Sequence, residues 1–125
     1  MSKNKNPILV AIFCTVFAQY GCANFNDEGA PSSSVKCTGV TTFQTFKEKL
    51  ANTCLTCHGA TTLAAGKDYT NYATAFSAIT PNSPETSILY TKVVSGTMKD
   101  KPSETAARDA AAVIKCWILS GGVEQ

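Results

Sequence analysis

Cys54-Leu55-Thr56-Cys57-His58 sets two thiols three residues apart with an imidazole directly after them. Thiols this close pair with each other, bind a metal or carry an attached group, so the chain has to fold around whatever they hold. Cys14, Cys22, Cys37 and Cys116 bring the total to six cysteines in 125 residues. So many are unusual for a cytosolic chain and point to an exported protein or a bound metal centre. A net charge of +2 argues against nucleic acid, because neutralising phosphates needs a basic surface.

The N-terminus reads as an export signal. Lys3 and Lys5 precede an apolar run, Ile8 to Ala18, that suits a signal peptide and falls short of the ~20 residues of a membrane-spanning helix. A buried N-terminal core helix is the plainer alternative, but the lysines and the polar stretch that follows favour export. Gly21-Cys22 resembles the end of a bacterial lipobox, with Gln19 and Tyr20 in place of its usual Leu and small residue. An ordinary cut after Ala18 would use Val16 and Ala18. The expected organisation is a signal peptide over 1–21, a flexible tether over 22–36 beginning at a lipidated Cys22, and a domain over 37–125. Asn24 to Ser34, polar and without periodicity, suits the tether. The chain carries 11 Lys+Arg and 9 Asp+Glu; loss of Lys3 and Lys5 with the leader leaves the two balanced.

From Cys37 onward the chain is small enough to need stabilisation beyond its apolar core. Its patterns read as helices. Thr41 or Thr42 caps a first helix with Phe43, Phe46, Leu50 and Cys54 on one face. Thr70 or Asn71 starts a second, carrying Tyr72, Phe76 and Ile79 and stopped by Pro81 and Pro84. Ser87 opens a third with Leu89 and Val93, ended by Gly96. Ser103 caps the last, where Glu104 complements the helix dipole. Its apolar face is Ala106, Ala110, Val113, Ile114, Trp117 and Ile118, and Gly121-Gly122 stops it. Strand signals are nearly absent, so the fold class expected is all-α.

Against that background the Cys54–His58 stretch matches the attachment site of c-type haem. Two cysteines on one helical turn can add to the two vinyl groups of the porphyrin, and His58 is then carried to the iron. A thioredoxin-like pair needs a strand before it, whereas this segment follows a helix. Zinc held by Cys37, Cys54, Cys57 and Cys116 would lack a second close-spaced pair. A disulfide between Cys54 and Cys57 would leave His58 without a role. His58 is the sole histidine, so a second imidazole ligand is excluded within one chain. Met98, the sole methionine beyond Met1, lies in a polar loop with no periodic packing role and is the candidate sixth ligand; filling a core gap is the alternative. Lys99 and Lys101 are poorer candidates, since a lysine must first lose its proton.

With Ser87-Ile88-Leu89-Tyr90, Gly96-Thr97-Met98 and Ile114-Lys115-Cys116-Trp117-Ile118 added, the chain from Val40 to Val123 resembles small bacterial class I cytochromes c. The resemblance implies a cytochrome c-like bundle of three to five helices around one covalently bound haem, with the first and last helices crossing. It implies Cys54 and Cys57 as thioether sites, His58 as proximal ligand and Met98 as distal ligand. Lys99 departs from the Pro that often follows the distal Met, which implies a less rigid loop. If those helices cross, Cys37 can approach Cys116, and a disulfide there would contribute roughly 4 kcal/mol by the chain-entropy argument; a buried free thiol at Cys116 is the alternative. Trp117 would pack on Phe46 and Leu50 or the haem edge. Tyr69, Tyr72, Phe76 and Tyr90 read as pocket or core packing. The expected function is one-electron transfer with a redox protein partner outside the cytoplasm, on the periplasmic or outer-surface side of a bacterial membrane, anchored through Cys22. A haem-based sensor or peroxidase-like accessory with a labile distal ligand is the alternative. No acid/base or nucleophile constellation suggests an independent enzyme.

Overall fold

The computed structural model describes residues 35–125; the leader read over 1–21, the lipidation residue Cys22 and most of the 22–36 tether lie outside the described residues. The described protein is all-α, with four helices joined by turns and short 3₁₀ segments and no strand among the described residues.

Helix α1 (Phe43–Leu50) starts where the Thr42 hydroxyl accepts the Thr45 N–H at 3.3 Å, satisfying a donor that the first turn would otherwise leave free. Phe43, Phe46 and Leu50 are buried, at the three- and four-residue spacing of one helical face. The helix stops short of Cys54. Both the N–H and the hydroxyl of Thr53 donate to the Leu50 carbonyl, at 3.1 and 3.2 Å, and this local bonding ends the helix in the way Ser and Thr often do. Helix α2 (Tyr72–Ser77) is capped by Asn71, whose side-chain oxygen accepts the Thr74 N–H. It ends before Ile79, with the Ser77 hydroxyl turned back to the Thr74 carbonyl at 2.7 Å.

Helix α3 (Ile88–Val94) begins after Ser87 as expected, but the Ser87 hydroxyl does not cap it. Fully buried, that hydroxyl accepts the Thr80 N–H at 2.8 Å and donates to the Ser83 carbonyl at 2.8 Å, so it fixes the approach to α3 instead. Helix α4 (Glu104–Leu119) is capped by the Ser103 hydroxyl, which accepts from the Ala106 N–H. Its buried face is Ala107, Ala110, Ala111, Ile114, Trp117 and Ile118. Ala106 and Val113 sit half-buried at the margin, so the stripe is rotated slightly from the one the sequence suggests.

Helix α4 packs against both α1 and α3. The contact with α1 is aromatic: the Trp117 ring lies 4.8 Å from Phe46 and 5.6 Å from Phe43, centroid to centroid. Trp117 is fully buried, and truncating such a residue to Ala typically costs about 3–5 kcal/mol. Its indole N–H donates to the Val123 carbonyl at 2.9 Å, and the Phe43 N–H reaches the same oxygen at 2.9 Å. The Tyr72 hydroxyl donates to the Gly122 carbonyl. The chain end beyond α4 is thus a strap across the starts of α1 and α2. Gly122 suits that place, since a Cβ there would sit 2.6 Å from Ile79 and 2.9 Å from the Phe76 ring. Cys37 and Cys116 are joined as a disulfide across 79 residues, with Cα atoms 5.3 Å apart, which ties the segment ahead of α1 to α4.

Candidate functional site

Cys54, Leu55 and Thr56 form a single 3₁₀ turn directly after α1. The Cys54 carbonyl accepts both the Cys57 N–H at 3.3 Å and the His58 N–H at 2.9 Å, so the two cysteines and the histidine belong to one turn of backbone. Neither thiol pairs with a cysteine among the described residues. Cys57 is exposed and Cys54 half-buried, and burial pushes the Cys54 thiol above its ordinary range, which keeps it protonated. Gly59 permits the turn that follows, because a Cβ there would lie 2.6 Å from the Leu55 carbonyl oxygen.

The chain then loops out and folds back along the motif. The Ala64 N–H donates to the Cys57 carbonyl at 2.8 Å, and the Tyr69 N–H donates to the His58 carbonyl at 2.8 Å. To make this return, Leu63 and Ala65 adopt φ of 44° and 54°, beside Gly66 at 67°. Non-glycine residues enter that region only at a cost of order 1 kcal/mol or more, which the closing hydrogen bonds offset.

His58 is half-buried, and its ring packs against Tyr69 with centroids 5.3 Å apart and planes tilted by 41°. Its Nδ1 is buried and makes no hydrogen bond to a described residue. Burial also pushes the Tyr69 hydroxyl above its usual range. On the far side of the sequence, Met98 follows α3 in a turn held by the Met98 N–H to the Lys92 carbonyl at 2.9 Å. Met98 is half-buried and packs against the core, as do Cys54, Leu55, Tyr69, Val94 and Val113, so it is not a residue of an exposed loop tip. The structure therefore gathers Cys54, Cys57 and His58 on one turn and pairs Cys37 with Cys116. Cys22 lies outside the described residues. The disulfide removes Cys37 and Cys116 as thiolates, so the four-cysteine zinc site has no ligand set; among the described residues no three His, Cys, Asp or Glu side chains converge on a metal-sized point.

Two features escape a reading of the sequence. The Tyr69–His58 contact spans a loop whose path depends on left-handed Leu63 and Ala65, residue types that give no such signal. The strap at Val123 depends on a backbone carbonyl, which no side-chain pattern reports.

No protein-family model, curated protein or solved structure matches this chain.

Proposed function

We propose that this protein is a single-haem c-type cytochrome of the small bacterial class I kind. It carries one electron between redox partners outside the cytoplasm and is held at the membrane by a lipid on Cys22. The observation that carries this reading is the Cys54–His58 turn: two thiols that no described cysteine pairs and, directly after them on the same turn of backbone, the imidazole of His58. On this reading Cys54 and Cys57 would hold the porphyrin through their sulfurs, and His58 and Met98 would ligate its iron. One-electron exchange between Fe(II) and Fe(III) is the chemistry that a bound haem supplies.

The residues around the motif have matching tasks. Leu55, Tyr69, Val94, Met98 and Val113 are half-buried against the core, and on this reading they would pack against the porphyrin. The contact of α1 with α4 agrees with the first-to-last helix crossing of that class.

The visible spectrum of the mature protein from a host competent in cytochrome maturation tests the ligand assignment. We expect a weak band near the red end in the oxidised form, from sulfur ligation, lost with haem retained in Met98→Ala. Wild-type protein that is high-spin and binds CO readily when reduced would instead support the sensor or peroxidase-like reading.

A further inference from the structure

Histidines that ligate a metal ordinarily donate their second ring N–H to a carbonyl, carboxylate or water, and that bond fixes the rotation of the ring. Among the described residues no carbonyl or carboxylate does this for His58, whose buried Nδ1 makes no hydrogen bond. What touches the ring is Tyr69, with centroids 5.3 Å apart and planes tilted by 41°. We infer that Tyr69 is a positioning residue that sets the rotation of the His58 imidazole by packing, in place of a hydrogen bond to Nδ1. The inference rests on the haem reading above.

The backbone around Tyr69 is built to hold such a contact. Its N–H donates to the His58 carbonyl at 2.8 Å, which brings the two residues side by side across the loop. One residue later the Thr70 N–H and hydroxyl both bond the Asp68 carboxylate, the N–H at 2.9 Å, so the chain is pinned on both sides of the tyrosine. Tyr69 is itself half-buried against the core, and its hydroxyl makes no hydrogen bond to a described residue. The ring is thus the part that acts on His58, and tilted aromatic contacts of this kind are favourable beyond the area they bury. Because the 2.8 Å bond is made by the backbone, side-chain substitution leaves it in place and isolates the ring contact.

The test uses the full mature protein with haem attached, as wild type, Tyr69→Phe and Tyr69→Leu. In the oxidised protein, the spread and order of the haem methyl proton resonances depend on the direction of the axial imidazole plane. A change confined to stability leaves them alone. Tyr69→Phe keeps the flat face and should keep the wild-type pattern. Tyr69→Leu should reorder it and shift the reduction potential. An unchanged pattern in Tyr69→Leu with haem bound overturns the role of Tyr69 and leaves the haem reading intact. A mature chain without haem overturns both. If Tyr69→Leu does not mature, the reduced wild-type protein still decides: cross-relaxation between the ring protons of Tyr69 and His58 is expected, and its absence overturns the inference.

Discussion

Gly59 has room for a hydrogen and little more. A Cβ would meet the Leu55 carbonyl oxygen at 2.6 Å, and that carbonyl belongs to the turn that carries the motif, so the turn must move to admit it. Overpacking of this kind typically costs about 1–3 kcal/mol. We expect Gly59→Ala to lower stability by that amount in denaturant unfolding and, on the proposed haem reading, to reduce the yield of protein carrying haem. Tyr90 gives a pH-dependent prediction. Burial, with the Glu85 carboxylate adding to it, pushes its hydroxyl above the ordinary value of 10. Above pH 10 the unfolded chain loses this proton while the folded chain keeps it. Stability is therefore full below pH 10 and declines as pH rises toward the folded value. Denaturant midpoints measured from pH 9 to 11 should fall, and Tyr90→Phe should flatten that fall.

At the scale of elements, caps decide where helices begin. The Ser103 hydroxyl accepts the Ala106 N–H at the start of α4, so Ser103→Ala should cost about 1 kcal/mol and Ser103→Asp should retain most of it, read as shifts of the thermal midpoint. The starts of α1 and α2 were legible to within one residue because Thr42 and Asn71 stand directly ahead of the apolar Phe43 and Tyr72, and that of α4 because Ser103 precedes Glu104, which complements the helix dipole. Ends were less so. Cys54 continues the spacing of Phe43, Phe46 and Leu50, yet Thr53 turns back onto Leu50, and a hydroxyl competing with the helix leaves no trace in an apolar pattern. The phase of α4 was blurred for a different reason. The alanine pairs at 106–107 and 110–111 are apolar on neighbouring faces, so only Ile114, Trp117 and Ile118 fix its orientation. The turn bearing Cys54, Cys57 and His58 was legible as a unit. The loop that returns Tyr69 to it was not, because its path runs through left-handed backbone at residues that rarely adopt it.

The whole molecule is closed by two long-range ties. The Cys37–Cys116 disulfide spans 79 residues and encloses α1, the cysteine–histidine turn, α3 and Met98. Replacing both cysteines by Ala should lower stability by roughly 4 kcal/mol, since the unfolded chain regains the entropy of that loop; unfolding of the variant beside wild type, without reductant, measures it. The second tie is the Val123 carbonyl, which receives both the Trp117 indole and the Phe43 N–H, so the core of this small domain closes only when its last residues are in place. These ties leave Cys54 and Cys57 as the two free thiols among the described residues, and the account turns on what they carry. The direct measurement is the mass of the tryptic peptide Leu50–Lys67, taken from protein matured in a host that attaches haem. This peptide is expected to carry the mass of one haem, bound through both cysteines and resistant to thiol reductants. A peptide of unmodified mass, with both thiols open to alkylation, would contradict it.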